Sequence, residues 1–233
     1  MFNMDDSKIF TTCQQEPKGM AVIDVKSRKE IKMVPIKGGR AGGMDPQGKY
    51  FMVSASKSVH FFDSQTAELV KTIKVPGGGG NFTCLKDGSK CYVGLRKANA
   101  VGVIDMAKLE LMKTIETGPD ANRLYLNPGN SRYGLFANEA GKSDIVSIID
   151  TQLDVKVKDI WTGLGPHNVA FDPDGKFAVI STKKENVATL VDTGSADPND
   201  WDVITTDLDS GIQNNGVRWV PSPAALKKAL AQN

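Results

Sequence analysis

Residues 165–180 read GPHNVAFDPDGKFAVI, which predicts a strand, a tight turn and a second strand. The turn falls at Pro173, Asp174 and Gly175, because proline presets φ and glycine accepts a positive φ. Residues 187–193 then read VATLVDT, another strand that ends at a turn residue. Because the rest of the chain repeats this unit, this stretch decides the fold.

The same hairpin turn recurs along the chain at steps of 40, 42, 45 and 48 residues. A period of this length that carries only strand signals is typical of a four-stranded propeller blade. The five turns begin at Pro46, Lys86, Pro128, Pro173 and Pro221.

A second mark in each unit is an apolar pair followed by aspartate. An aspartate there can accept hydrogen bonds from the next backbone amides and hold a turn, so we expect a structural role rather than catalysis. An alternating, half-exposed outer strand follows each aspartate. The five aspartates are Asp24, Asp63, Asp105, Asp150 and Asp192, and the outer strands are 29–36, 68–75, 110–115, 155–160 and 202–206.

The two ends of the chain complement each other. The chain opens on a second strand at 8–12, and the missing first strand is predicted at 215–220, so the ends complete one blade and close the ring. A short amphipathic helix is expected within 222–232, and the glycine run 77–80 is expected to be a loop on the ring face. The predicted fold is therefore all-β: one domain over 1–233, a five-bladed β-propeller of four-stranded antiparallel blades.

Composition limits the partners. The chain has 233 residues and a formal net charge of +2, and its cations are interleaved with acidic residues, so we expect no nucleic-acid partner. No apolar run approaches the roughly 18 residues of a membrane span. The N-terminus lacks a signal-peptide pattern. We expect a periplasmic or extracellular protein if a signal peptide was removed, and otherwise a cytoplasmic one.

The three cysteines have no metal-binding spacing. Cys84 and Cys91 flank one predicted hairpin turn and should lie close together on paired strands. Two readings remain open, a cross-strand disulfide or two small core residues, because strand pairs often hold sulfurs in poor geometry for bonding. Cys13 stays unpaired in either case.

The repeat resembles the YVTN-type β-propeller repeat, best in residues 165–180 and 187–193 and less well around 84–106 and 122–133. Relatives with this repeat include haem-binding propellers of nitrite reductases, copper-site propellers, lactonases and proteins without catalysis. The resemblance therefore implies a fold and no single activity. Most relatives have about seven blades, so five blades would mean either a small ring or a fragment of a larger propeller.

In a propeller, the loops that enter the innermost strands converge on one face of the channel, which is the default binding site. Arginine there would bind carboxylate or phosphate, and asparagine supplies donors and acceptors. The alternative is that these groups satisfy backbone ends and bind only water. The predicted ligand-binding residues are Arg40, Asn81, Asn122, Arg123, His167, Asn168 and Asn215.

No catalytic set is expected. The chain has two histidines, His60 and His167, too few for the three or four ligands of a copper or zinc centre, and it lacks CxxCH and GxSxG motifs. The acidic residues are interpreted as rim or turn residues, so no carboxylate pair is expected. No cofactor is predicted.

Two functional hypotheses follow. The first is a non-catalytic binding or scaffolding propeller whose polar channel mouth faces a protein partner or a small anionic ligand. The second is an enzyme or cofactor-binding propeller, either a metal- or haem-dependent oxidoreductase or lactonase-like, that uses His167, Arg40 and Arg123.

Overall fold

The computed structural model describes residues 1–185 and 187–209. Over these residues the chain is all-β, with five antiparallel sheets that form the blades of a five-bladed propeller. Blade 1 contains three of the described strands, and blades 2 to 5 contain four each. The predicted closing strand at 215–220, the turn at Pro221, the site residue Asn215 and the helix within 222–232 lie outside the described residues.

Each blade is a meander in which consecutive strands pair. Blade 1 holds β1 (Lys8–Cys13), β2 (Gly19–Asp24) and β3 (Lys29–Pro35). Blade 2 holds β4 (Ala41–Met44), β5 (Tyr50–Ser54), β6 (Ser58–Asp63) and β7 (Leu69–Lys74). Blade 3 holds β8 (Phe82–Cys84), β9 (Lys90–Leu95), β10 (Ala100–Asp105) and β11 (Glu110–Glu116).

Blade 4 holds β12 (Ala121–Leu126), β13 (Tyr133–Asn138), β14 (Ile145–Asp150) and β15 (Val155–Trp161). Blade 5 holds β16 (Pro166–Phe171), β17 (Phe177–Thr182), β18 (Val187–Asp192) and β19 (Asp202–Asp209). Two 3₁₀ turns, Arg96–Ala98 and Pro198–Asp200, interrupt this pattern.

The predicted hairpin turns are confirmed where the chain is described. Gly48, Gly88 and Gly175 close three of them with φ of +64°, +70° and +69°, the left-handed region that favours glycine. In three of the described turns the residue before the turn caps it with its side chain: Asp45, Asn127 and Asp172, whose carboxylate accepts from the Phe177 amide at 2.8 Å. The glycine run 77–80 is a loop, as predicted.

The structural role of the repeated aspartates is confirmed. Asp63 Oδ1 accepts from the amides of Gln65 at 2.9 Å and Thr66 at 2.8 Å, and the other four make equivalent bonds. In four of the blades the fourth residue after the aspartate has a positive φ without being glycine, a feature the sequence did not reveal. These residues are Arg28, Ala67, Leu109 and Asp154.

The hydrophobic core is divided among the spaces between blades. Four clusters of buried apolar side chains each lie between two successive blades. In blade 5, for instance, the fully buried Trp201 packs edge-on against Tyr133 of blade 4, with ring centroids 6.0 Å apart, and its Nε1 donates to the Ser195 carbonyl. Burial between blades, rather than within one central core, therefore holds the described sheets together.

Cys84 and Cys91 form a disulfide across the first strand pair of blade 3. They stand directly opposite each other in the β8–β9 register, with Cα atoms 3.9 Å apart. This selects the disulfide over the reading in which the two are merely small core residues. Cys13 is a free, half-buried thiol.

Near the axis the backbones of blades 3 and 4 come into close contact. The Asn81 amide donates to the Asn122 carbonyl at 2.9 Å, and the Gly80 amide donates to the Gly94 carbonyl at 3.0 Å. A Cβ atom on Gly94 would overlap the Asn122 carbonyl oxygen, and a Cβ atom on Gly80 would lie 2.5 Å from the Gly94 Cα. Only glycine allows these strands to approach so closely.

We predict that Gly94→Ala destabilises the fold by about 3 kcal/mol, because the new methyl group must displace the backbone of a neighbouring blade. Gly194→Ala is the matched control: its Cβ would meet side chains rather than backbone, Asp192 Oδ1 at 3.2 Å and Lys176 Cβ at 3.7 Å, so the midpoint of urea unfolding should hardly change. Equal midpoints for the two variants would contradict the close packing at the axis.

Candidate functional site

A cavity of about 450 Å³ lies where the five blades converge, and we call it the funnel. Each described blade contributes polar side chains to its wall, so the funnel lies on the ring axis. The contributors are Thr12 and Gln14 from blade 1, Arg40 from blade 2, Asn81 and Arg96 from blade 3, Asn122 and Glu139 from blade 4, and His167 and Lys183 from blade 5.

The predicted site residues divide into two groups. Arg40, Asn81, Asn122 and His167 line the funnel. Asn81 and Asn122 also bond to each other, because Asn81 Nδ2 donates to Asn122 Oδ1 at 3.0 Å. Arg123 is exposed, is not among the funnel-lining residues, and places its guanidinium 5.2 Å from the centre of the Tyr125 ring.

Asn168 is not among the funnel-lining residues, but it bonds to His167, which is. Its Oδ1 accepts from the Tyr125 hydroxyl at 2.5 Å, and its Nδ2 donates to Nδ1 of His167 at 3.0 Å. His167 Nε2 in turn lies 3.1 Å from Glu139 Oε1. This directional chain assigns the neutral tautomer with the proton on Nε2, and both ring nitrogens of His167 then have partners in the protein.

Sequence reasoning missed Gln14, Arg96, Glu139 and Lys183. Arg96, Glu139 and Lys183 each follow directly after the second strand of their blade, because β9, β13 and β17 end at Leu95, Asn138 and Thr182, and Gln14 follows directly after β1, which ends at Cys13. In an antiparallel hairpin, the end of the second strand lies beside the start of the first. The same alignment on the hairpin turns that located Arg40 and His167 would therefore have located these residues too.

Glu139 is the centre of an ion-pair network, and its side chain is only 8% exposed. Oε2 accepts from Arg96 Nη1 at 2.6 Å, and Oε1 accepts from Lys183 Nζ and lies near His167. Arg96 also donates through Nη2 to Asp120 at 2.5 Å. The network joins blades 3, 4 and 5, and its two cations balance its two carboxylates.

These contacts shift the titration of Glu139. Burial alone would raise the pKa of its carboxyl, but hydrogen bonds from His167, Lys183 and Arg96 outweigh burial and hold the pKa far below the ordinary value of 4.5. The carboxylate is therefore ionised at any physiological pH. The interpretation of all acidic residues as rim or turn residues was wrong for Glu139, because the ion pairs compensate for burying its charge.

Arg40 differs from the other cations of the funnel. Its side chain is exposed, and no carboxylate or carbonyl of the described residues binds its guanidinium. Its backbone is fixed, because Thr12 Oγ1 donates to the Arg40 carbonyl at 3.2 Å. A positioned but unpaired guanidinium can bind a planar anion with two parallel hydrogen bonds.

A second cavity, of about 500 Å³, lies at the opposite strand ends, between the hairpin turns of blades 3 and 4. Two of its cations are paired: Lys90 with Asp154 at 2.9 Å, and Arg132 with Asp150 at 2.7 Å. Its wall comes from blades 3 and 4 alone, whereas every described blade contributes polar side chains to the funnel, so the funnel is the better candidate site.

Neither a metal-binding cluster nor a membrane-spanning helix occurs in the part of the chain that the structure describes. No group of three or more His, Cys, Asp or Glu side chains there is arranged to hold a metal ion. No helix there combines the length and the apolar character that crossing a bilayer requires.

No family model and no curated protein matches this chain. Among solved structures, it is similar to hydrazine synthase from Kuenenia stuttgartiensis, with a TM-score of 0.61 and 24% identity over 75% of this chain and 52% of that chain. It thus spans about half the length of that protein. A functionally unknown protein from Desulfotomaculum acetoxidans matches with a TM-score of 0.68 and 13% identity, over 88% of this chain and 68% of that one. These similarities support the propeller fold alone.

We predict that Glu139→Gln lowers the free energy of unfolding at pH 7 by about 2–3 kcal/mol, because it leaves two buried or half-buried cations with a neutral partner. The pKa of Glu139 is depressed in the folded state, so its contribution is present above the unfolded value of 4.5 and is lost as pH falls. Urea midpoints of the two proteins should therefore converge between pH 7 and pH 3.

The control for this prediction is Glu110→Gln, which removes an exposed carboxylate that pairs with Lys71 at 3.3 Å. Exposed pairs contribute little, so this change should alter the midpoint only slightly at any pH. A difference between wild type and Glu139→Gln that stays constant down to pH 3 would contradict the role given to the Glu139 charge.

Proposed function

We propose that this propeller is a binding protein without catalytic activity that holds a small anion in the funnel. The ligand class is a carboxylate or a phosphate. The observation that carries the proposal is Arg40, whose guanidinium lines the funnel with no partner among the described residues. The neighbouring asparagines Asn81 and Asn122 supply amide groups for the remaining polar atoms of the ligand.

Electrostatics favours an anion over a cation or a neutral ligand. The funnel wall carries three permanent cations, Arg40, Arg96 and Lys183, against one carboxylate, Glu139. Since Glu139 is bound by Arg96 and Lys183, Arg40 supplies the charge that remains for a ligand. A concave site walled by protein screens this charge less than open solvent does, which strengthens the attraction.

The alternative, an enzyme or cofactor-binding propeller that uses His167, has less support. A general base needs a ring nitrogen that can reach the substrate. In this network His167 Nε2 faces Glu139, and Nδ1 accepts from Asn168. The ring is thereby a structural element of the funnel wall, so the proposal assigns no proton transfer to it.

We further propose that the protein works in an oxidising compartment, such as the periplasm or the extracellular space. The Cys84–Cys91 disulfide supports this, because such bonds persist where thiols are not kept reduced. Mass spectrometry after alkylation of protein from its native host should show one modified cysteine, Cys13, and three after reduction. Three modified cysteines without reductant would contradict the proposal.

We predict that Arg40→Gln weakens anion binding at least tenfold, because it removes a charge-assisted, bidentate contact. Calorimetric titration with butyrate, glutarate and inorganic phosphate at low ionic strength measures the effect. At least one of these anions should bind wild type in the millimolar range or tighter, and its affinity should fall as salt is added.

Arg123→Gln is the matched control, since it removes the same charge from the same face at a residue that does not line the funnel. Its affinity for the anion should equal that of wild type. Equal losses in both variants would mean that net charge rather than the funnel attracts the anion. A complete lack of binding to wild type would overturn the proposed function.

A further inference from the structure

A smaller cavity of about 280 Å³ adjoins the funnel between blades 2 and 3. The two share part of their walls, because Arg40, Gly79 and Arg96 line both. We call this smaller space the side cavity. Gly78 and Gly79 of the glycine run 77–80 line it.

We propose that the funnel and the side cavity form one site for a dicarboxylate, with one carboxylate group on Arg40 and the other on Lys97. This inference rests on the proposed function and names its ligand class. Lys97 belongs to the 3₁₀ turn Arg96–Ala98 and lines the side cavity but not the funnel.

The first argument is the charge balance of the combined space. Its walls carry four cations, Arg40, Arg96, Lys97 and Lys183, and two carboxylates, Asp120 and Glu139. Arg96 and Lys183 are bound to those carboxylates. Two cations thus remain without a carboxylate partner among the described residues, and two charges on a ligand would balance them.

The second argument is the shape of the wall between those two cations. Gly79 lines both cavities and has a φ of +93°, and a Cβ atom there would lie 3.6 Å from the Arg40 Cδ. Because Gly79 has no Cβ atom, the wall that the two cavities share leaves a passage between them. A chain of methylene groups can therefore extend from one cavity into the other. Small residues, Gly38, Ser56 and Gly78, line the side cavity beyond it.

The third argument is the rigidity of the frame around the site. The Gly79 amide donates to Ser54 Oγ at 2.8 Å, and the Gly78 amide donates to the Ser56 carbonyl at 2.9 Å. The Arg96 guanidinium is held by Asp120 and Glu139 from the next blade. The glycine loop that lines the site and the turn that carries Lys97 are therefore fixed before a ligand binds, which lowers the entropy cost of binding.

The test is calorimetric titration of the full chain with dicarboxylates of four to six carbons, namely succinate, glutarate and adipate, each against the monocarboxylate of equal length. We expect the best dicarboxylate to bind at least tenfold tighter than its monocarboxylate. Lys97→Met should remove most of this advantage and leave monocarboxylate affinity unchanged, whereas Arg40→Gln should weaken both.

Lys113→Met, an exposed lysine on β11, is the matched control and should leave both affinities at wild-type values. Lys97→Glu should weaken the dicarboxylate further than Lys97→Met does. Because the Lys97 side chain makes no bond within the described residues, the melting temperatures of its variants should match wild type, so a loss of binding cannot be ascribed to unfolding.

The outcomes separate the two proposals. If no anion binds wild type, the proposed function fails and this inference fails with it. If monocarboxylates bind through Arg40 but no dicarboxylate gains affinity, or if Lys97→Met changes nothing, only the two-group site is overturned. If inorganic phosphate rather than any dicarboxylate shows the gain that depends on Lys97, both charges belong on one group and the assignment is also wrong.

Discussion

The close approach of the inner strands at the axis is the constraint on which the site depends. Gly80, Gly94 and the Asn122 carbonyl pack so tightly that a methyl group has no room between blades 3 and 4. This contact brings the ends of neighbouring hairpins within reach of one another's side chains. The ion pairs between Arg96, Glu139 and Lys183 therefore depend on small residues that carry no charge themselves.

In a narrow ring the polar side chains also lie close together near the axis. Buried charges among them must therefore be paired with opposite charges. A buried carboxylate such as Glu139 is unfavourable on its own, and the three hydrogen-bond donors around it lower its pKa instead of letting burial raise it. The same contacts tie blades 3, 4 and 5 together. The network is thus a connection between blades in which each cation is bound to a carboxylate, whereas Arg40 has no such partner among the described residues.

The sequence predicted the blades well because their signals are local and repeated. The turn residues beside Pro46 and Pro173, and the aspartates that recur in each blade, accept hydrogen bonds from backbone amides a few residues later. A periodic sequence pattern therefore reveals them. The disulfide was left open, because bonding depends on the distance between paired strands rather than on spacing in the sequence. Glu139 was missed because the alignment on the hairpin turns was not extended to the end of the second strand, and its burial depends on ion-pair partners that come from two other blades.

Repetition of the backbone does not imply repetition of the chemistry. The position after the second strand of blades 2 to 5 holds Ala55, Arg96, Glu139 and Lys183, and the residue after β1 of blade 1 is Gln14. One side of the funnel is therefore filled by an ion-pair network, while the small, buried Ala55 and the glycines beside it leave space next to Arg40. Five equal blades would give a ligand five equivalent orientations. The differences at this one position remove that equivalence, and they leave the boundary between blades 2 and 3 open beside Arg40.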